Sequence, residues 1–148
     1  MGKARDAIDR MTAALISKDL KTVAECYGEN AVAVTPDQGE VSGQAGIVEY
    51  FGELLSAFPD VQYDYLAKHE SGNVAIDEGY FTGTNEGDLS GPGGASIPTT
   101  GKQVRVRECD VVTVDDYGLI QQHRFYFDQL EFLGQLGLLP ETTPDSST

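Results

Sequence analysis

The stretch Gln121-Gln-His-Arg-Phe-Tyr-Phe-Asp-Gln-Leu130 combines strand-forming aromatic residues with an arginine and an aspartate. Side chains alternate between the two faces of a strand. The even-numbered residues therefore share one face: Gln122, Arg124, Tyr126 and Asp128. The opposite face carries His123, Phe125 and Phe127. A face with two charges either meets solvent or lines a cavity, because a buried charge needs a partner. We interpret the even-numbered face as the wall of a cavity.

Composition indicates one globular domain. The chain has 148 residues, 40% of them hydrophobic, which is enough for a single core. No apolar run reaches the roughly 18 residues of a membrane helix, and no apolar secretion segment precedes the first helical pattern. We therefore expect a cytoplasmic protein with no membrane partner. The net charge of −14 argues against nucleic acid as a partner, because phosphates require a basic surface. An acidic surface is also one adaptation to high salt, so a halophilic source stays open.

The cysteines and histidines indicate no metal site. Cys26 and Cys109 are far apart in sequence and are interpreted as small buried residues. His69 and His123 lack the spacing of zinc ligands. The glycines between 87 and 101 lack the spacing of a phosphate-binding loop. We expect neither a metal nor a cofactor.

Periodicity predicts helices first and a sheet afterwards. Helical spacing of apolar residues occurs at 4–16, 20–27 and 43–58, and strands are predicted at 31–35, 61–68, 74–85, 103–114 and 119–127. A short helix is predicted at 129–138, a surface loop at 87–101 and a polar flexible tail at 141–148. We expect one α+β domain over residues 1–140. Its curved antiparallel sheet should wrap around the N-terminal helices, in the shape of a cone, and enclose a pocket.

Several motifs occur in an order that is typical of one family. They are Gly43-Gln-Ala-Gly-Ile47, Ala57-Phe-Pro-Asp60, Gly83-Thr-Asn-Glu-Gly87, Pro98-Thr-Thr-Gly-Lys102 and the end of the chain from Gln122-His-Arg through Asp128 to Gln135-Leu-Gly137. Over nearly its whole length the sequence resembles the SnoaL-like polyketide cyclases, which share the cone fold of the nuclear-transport-factor-2-like proteins.

This resemblance implies a cofactor-free enzyme that closes a ring in a polyketide-like substrate by an intramolecular aldol reaction. The family's general acid/base is an aspartate at the end of the last strand, and Asp128 matches it. The family's histidine on the preceding strand is replaced here by Asp110, and His123 is predicted to lie on the wrong face to substitute. Asn85 stands where many relatives have a histidine.

The predicted catalytic residues are Asp128, Asp110 and Arg124. Burial in an apolar pocket would raise the pKa of the Asp128 carboxyl and make it a better base near neutral pH. If Asp110 shares the pocket, the two carboxyls cannot both ionise freely, and one would keep its proton. Arg124 would be a counter-ion or would bind the enolate oxygen. The alternative is an ordinary cross-strand ion pair between Arg124 and one of the aspartates.

Five further residues are predicted to contact the substrate: Tyr27, Phe51, Phe58, Asn85 and Tyr126. Each has a structural alternative, because aromatic residues at these spacings also form core and asparagine is common in turns.

Three functions remain open at this point. The first is proton abstraction from a small apolar or polyketide-like molecule by a cyclase, isomerase or dehydratase. A related hydrolase would use Asp110, Arg124 and Asp128 to activate water on an epoxide. The third is a non-catalytic ligand-binding or dimerisation module. We also expect a homodimer or higher homo-oligomer formed through the sheet, with Phe125 and Phe127 as interface anchors.

Overall fold

A computed structural model describes residues 2–90 and 95–139 of the chain. The predicted tail at 141–148 and the middle of the predicted loop lie outside these residues. The helices are α1 (Lys3–Ile16), α2 (Leu20–Glu25), α3 (Gln44–Ala57) and α4 (Gln129–Gln135). The strands are β1 (Tyr27–Thr35), β2 (Gly39–Ser42), β3 (Gln62–Ser71), β4 (Val74–Thr84), β5 (Leu89–Ser90), β6 (Ser96–Ile97), β7 (Gln103–Val114) and β8 (Ile120–Phe127).

Six strands form one curved, unclosed sheet in the order β2-β1-β8-β7-β4-β3. All neighbouring pairs are antiparallel except β1 and β8, which run parallel. The predicted α+β class and curved sheet are confirmed, and the parallel pair is an addition that strand periodicity could not reveal. This parallel pair places β1, the first strand of the chain, beside β8, the last strand.

The helices cover one face of the sheet and form the core with it. Helix α1 contacts β3, β4 and β7, while α3 contacts β1 and β2. The largest buried side chains come from both layers: Tyr27, Phe51, Phe58, Ile8, Leu15, Ile47 and Ile120. The amphipathic stripes that predicted α1 and α3 are the faces that pack onto the sheet.

Three local assignments differ from the sequence prediction. Tyr27 begins β1 and does not end α2. The strand β2 lies between the predicted strand at 31–35 and the predicted helix at 43–58, where no element was predicted, and it pairs with β1. The predicted loop at 87–101 contains two short antiparallel strands, and Leu89 of β5 pairs with Ile97 of β6. The strands β2, β5 and β6 have only two to four residues each and are too short to show a hydrophobic period.

Among the described residues, no helix combines the length and the apolar character needed to cross a membrane.

Candidate functional site

The covered face of β7 is apolar except at two adjacent inward positions. Valines occupy the other inward positions: Val104, Val106, Val112 and Val114. Glu108 and Asp110 stand between these valines. In the register with β8, Glu108 lies opposite Phe127 and Asp110 lies opposite Phe125. Two carboxyl groups therefore face the covered side of the sheet with aromatic neighbours.

Asp110 is the end of a buried hydrogen-bonded chain. His123 Nε2 lies 2.9 Å from Asp110 Oδ1, and the Tyr27 hydroxyl lies 2.7 Å from His123 Nδ1. Burial raises the pKa of Tyr27 well above its ordinary value, so the phenol keeps its proton and is hydrogen-bonded to Nδ1 of the imidazole. On the other side of the ring, the Asp110 carboxylate accepts a hydrogen bond from Nε2. All three side chains are buried.

The pKa values of Glu108 and Asp110 are shifted in opposite directions. Burial, the charge of Asp110 and the hydrogen bond between the two carboxyls together raise the pKa of Glu108 to about 11. Burial opposes ionisation of Asp110 as well, but hydrogen bonds from Glu108 and His123 outweigh it and hold the pKa of Asp110 below its ordinary value. At neutral pH Glu108 is therefore protonated and Asp110 is ionised. The Oε1 atom of Glu108 is buried and accepts no hydrogen bond from the described residues, as suits a neutral carboxyl.

Glu108 lines a cavity of about 110 Å³ between the sheet, α3, α4 and the β5 strand. Most of the wall is apolar or aromatic: Tyr50, Leu54, Phe58, Tyr63, Phe81, Leu89, Val106, Phe125, Phe127 and Phe132. The remaining lining residues are polar: Asp37, Gln38, Glu53, Asp88, Ser90 and Glu108. An apolar cavity of roughly 150 Å³ binds benzene, so this smaller one encloses only part of a one-ring guest, and the remainder of that guest would lie at the rim.

Two tyrosine hydroxyls belong to the same cavity. Burial raises the pKa of Tyr63 well above its ordinary value, with a further contribution from the charges of Glu108 and Asp110. Tyr63 therefore keeps its proton and can donate a hydrogen bond. Burial likewise raises the pKa of Tyr50, whose hydroxyl donates to Asp37 Oδ1 at 3.0 Å.

The prediction that Asp128 lies in an apolar pocket is wrong. Asp128 is exposed and immediately precedes α4, where its carboxylate accepts a hydrogen bond from the backbone N–H of Glu131 at 3.1 Å. It is absent from the lining of the cavity. Its position at the end of the last strand thus serves as an N-cap, a common use of aspartate at the start of a helix.

Arg124 and Tyr126 are also on the opposite side of the sheet from the cavity. Tyr126 is 53% exposed, and Arg124 donates to Gln122 Oε1 at 2.9 Å on the same outer face. The interpretation of the even-numbered face as a cavity wall is therefore wrong, as are the predicted roles of Arg124 as an oxyanion clamp and of Tyr126 as a substrate contact. The charges are on this face because it meets solvent, which was the alternative.

The odd-numbered face of β8 faces the cavity. Phe125 and Phe127 line it, and the ring of His123 stacks on Phe125 with centroids 3.8 Å apart. The prediction that His123 is on the wrong face is wrong, because His123 hydrogen-bonds Asp110. Phe125 and Phe127 are likewise not available as interface anchors on the outer face. The homo-oligomer itself stays a prediction.

The other predicted substrate contacts are in different places. Phe58 lines the cavity, and its contact with a substrate stays a prediction. Phe51 is buried core and packs against Phe125, and Tyr27 is bonded to His123 behind the wall. Asn85 is buried in the base of the 87–101 loop, where its amide bonds the Gly87 carbonyl and the Thr100 backbone. Phe51, Tyr27 and Asn85 therefore have structural roles, which the sequence analysis gave as the alternative to substrate contact.

Sequence reasoning missed Glu108 as the proton-carrying group. The available signal was the alternating valine pattern of β7, which is interrupted only by Glu108 and Asp110. An acidic residue on a strand face that is otherwise apolar, as in β7, indicates a functional site more strongly than charged residues on a face that also carries other polar residues, as in β8.

Among residues 2–90 and 95–139, no group of three or more His, Cys, Asp or Glu side chains is arranged to bind a metal ion. The polar side chains at the cavity are carboxyls, hydroxyls and the amide of Gln38; all of them can form hydrogen bonds, and the carboxyls can also bind and release protons.

Comparison with known proteins assigns the chain to a family. The model of the SnoaL-like domain matches residues 8–123. The chain belongs to this SnoaL-like family, and the resemblance found in the sequence is confirmed. No protein with curated annotation is significantly similar to the sequence.

Solved structures share the fold. AclR of Streptomyces galilaeus, a proposed hydroxylase, is 23% identical with a TM-score of 0.76, over 93% of this chain and 97% of AclR. A proposed SnoaL-like polyketide cyclase of Jannaschia sp. CCS1 is 16% identical with a TM-score of 0.80, over 93% and 94% of the two chains. IdmH of Streptomyces antibioticus, a proposed polyketide cyclase, is 23% identical with a TM-score of 0.73, over 89% and 96%. Similarity at these identities establishes the fold and leaves the reaction open.

Proposed function

We propose that the protein is an enzyme that enolises a small carbonyl compound and uses the enolate to close a ring, with Glu108 as the group that meets the substrate. The observation that carries this proposal is a pair of acids at adjacent inward positions of β7, Glu108 at the wall of an apolar cavity and Asp110 buried behind it, with the pKa of Glu108 raised by burial and by the charge of Asp110. The proposed cyclase activity of two proteins with the same fold supports ring closure as the reaction.

The carboxyl pair holds one proton and can take up a second. When Glu108 accepts a proton from a substrate carbon, the proton that Glu108 already carries passes to Asp110. The electron pair of the broken C–H bond remains on the substrate as an enolate. Both carboxyls are then neutral, a state that an apolar site favours. Ring closure forms a bond from the enolate carbon to a second carbonyl carbon of the substrate, and a proton returns to the resulting oxyanion.

Tyr63 supplies a hydrogen bond to the enolate oxygen in this mechanism. It lines the cavity and keeps its proton. A donor that is fixed before the reaction stabilises the developing charge more strongly in an apolar site than in water.

His123 and Tyr27 are positioning residues in this mechanism. The hydrogen bond from His123 Nε2 fixes the Asp110 carboxylate and favours its ionised form. The hydroxyl of Tyr27 holds the other side of the imidazole ring through a hydrogen bond with Nδ1. Asp110 is thereby ionised and held in one orientation before the reaction, as an acceptor for the proton of Glu108 must be.

Deuterium exchange tests the enolisation step without knowledge of the natural substrate. Acetophenone has one ring and exchangeable protons beside its carbonyl group, so its exchange in D2O can be followed by NMR. We expect the wild-type protein to accelerate this exchange and Glu108→Gln to lower the acceleration by about 100-fold or more, the usual size of a general-base contribution.

Asp128→Asn is the matched control. It also removes one carboxylate, but from the solvent-exposed end of β8. Asparagine is a good N-cap, so exchange and stability should both stay near wild type. Exchange that survives Glu108→Gln and fails in Asp128→Asn would reject the proposal and restore the family's aspartate as the base.

A further inference from the structure

We infer that the cavity takes a small organic cation, whose nitrogen lies at the rim and whose apolar body lies between the aromatic rings. This inference rests on the proposed function in placing the substrate in this cavity. It adds the charge class of that substrate, which nothing in the proton-transfer mechanism specifies.

All four ionisable side chains at the cavity other than tyrosine are acidic: Asp37, Glu53, Asp88 and Glu108. The described lining contains no Lys, Arg or His. The residues outside the description add none by sequence, because 91–94 and 140–148 contain no basic side chain. An anionic ligand would therefore meet repulsion and find no counter-charge.

The rim acids are not neutralised by the protein. Asp37, Glu53 and Asp88 are exposed, and none of them forms an ion pair with a described residue. Asp37 accepts a hydrogen bond from the Tyr50 hydroxyl, and Asp88 accepts from the backbone and hydroxyl of Thr99. Hydrogen bonds from neutral groups fix these carboxylates in place and leave their negative charge available.

The interior of the cavity suits the rest of such a ligand. The faces of Phe and Tyr rings carry negative potential and attract ammonium groups. Rings from α3, the sheet and α4 surround the space, among them Tyr50, Phe81 and Phe132. Glu108 is neutral and faces the uncharged part of the ligand, as its role in enolisation requires. The net charge of −14 adds long-range attraction for a cation.

Three probes of equal size and different charge test this inference. Benzylamine is cationic at neutral pH, benzyl alcohol is neutral and benzoate is anionic, and each contains one ring. We expect benzylamine to bind at least about tenfold more tightly than benzyl alcohol and benzoate to bind most weakly, as measured by NMR titration at low salt. The preference should decrease at high salt, because the rim carboxylates are exposed.

The triple variant Asp37→Asn/Glu53→Gln/Asp88→Asn removes the rim charges and keeps the hydrogen-bond acceptors. Benzylamine and benzyl alcohol should then bind within about twofold of each other. A matched variant, Glu29→Gln/Glu78→Gln/Asp116→Asn, changes the net charge by the same amount at exposed positions away from the cavity lining. It should keep most of the preference for benzylamine, because close charges act more strongly than distant screened ones.

Equal binding of the three probes, or no binding of any of them, would overturn the inference. A preference that disappears equally in both triple variants would also overturn it, because the cause would then be the overall charge. The test is independent of turnover. If Glu108→Gln left proton exchange intact, the proposed reaction would fail while the charge preference of the cavity could still be measured.

Discussion

Glu108 keeps its proton because burial and the neighbouring carboxylate act in the same direction on one group. Both effects penalise a negative charge on Glu108 beside that of Asp110, and together they raise the pKa of Glu108 to about 11. In the unfolded chain the same carboxyl has a pKa of about 4.3. Between these values the folded protein binds one more proton at Glu108 than the unfolded chain does. Folding is therefore coupled to pH through this residue.

The sign of this coupling gives a prediction. The stability contributed by the proton on Glu108 is complete below pH 4.3 and is lost as pH rises towards about 11, since the unfolded chain releases that proton and the folded protein does not. Glu108→Gln removes this dependence and keeps a neutral side chain of nearly the same size at this position. We expect the free energy of unfolding of wild type, relative to Glu108→Gln, to fall by up to about 1.4 kcal/mol per pH unit.

Urea unfolding of both proteins at pH 6, 7 and 8 measures the difference. The ionisation of Asp110 acts in the opposite sense, because its pKa is lowered, but that group titrates well below this window. Parallel pH profiles of the two proteins would show that Glu108 is ionised in the folded state and would remove the basis of the proposed mechanism.

At the level of elements, the sequence predicted the fold better than the site. Amphipathic helices and alternating strands depend on local periodicity, so α1, α3, β3, β4, β7 and β8 could be predicted. The family motifs added the prediction that the sheet curves into a cone. The parallel pairing of β1 with β8 depends on contacts between residues far apart in sequence, and no local period encodes it.

The site was misplaced because periodicity gives two faces of a strand and does not say which one is covered. In β8 the inward face carries His123 and Phe125, and the outward face carries Arg124 and Tyr126. The neighbouring strand decides between them, because Asp110 lies opposite Phe125 in the register. The valines of β7 indicate which face of that strand is covered. To extend this conclusion to β8, one must know which residues of β8 lie opposite them, and the sequence alone does not give this register.

The curvature of the sheet leads to a prediction at this scale. The pairing of β3 with β4 shifts register between Tyr65 and Ala67, and at this irregularity β3 passes close to Gly79. A Cβ atom at Gly79 would lie 2.2 Å from the backbone oxygen of Asp64. Because the obstacle is backbone, the strands must separate, so Gly79→Ala should lower the free energy of unfolding by roughly 1–3 kcal/mol.

Gly52→Ala provides the comparison. Gly52 lies within α3, and its added methyl group would come no closer than 3.7 Å to the Leu20 side chain. Alanine is the better helix former by about 1 kcal/mol, so this variant should be neutral or more stable in urea unfolding. A neutral Gly79→Ala would show that β3 does not approach β4 as closely as the structure indicates.

At the scale of the whole molecule, a buried ion pair joins the helical layer to the sheet. Arg5 of α1 and Asp77 of β4 are almost completely buried, and the guanidinium Nη2 lies 2.5 Å from Asp77 Oδ1 and 2.8 Å from Asp9 Oδ1. Asp77 lies directly opposite Asp110 in the register of β4 with β7. The Arg5 guanidinium, which joins α1 to the sheet, therefore also compensates the charge of Asp77, and Asp77 lies next to the candidate site.

This arrangement predicts an unequal response to removing one partner or both. Arg5→Met leaves Asp77 buried without its cation, so the free energy of unfolding should fall by about 3–5 kcal/mol. Arg5→Met/Asp77→Leu removes both charges and should recover most of that loss, because an apolar pair can replace a buried ion pair. Urea unfolding of the two variants and wild type measures both effects.

Arg10→Met is the control, since Arg10 pairs with Glu25 at 2.8 Å with both side chains about half exposed. An exposed pair contributes at most about 1 kcal/mol, so this variant should stay close to wild type. If Arg5→Met were equally mild, Asp77 would be protonated or hydrated in the variant, and the ion pair would not hold α1 in place. A large loss in Arg5→Met that the double variant recovers would show that the helical layer is fixed by compensating Asp77, the carboxylate that lies beside Asp110.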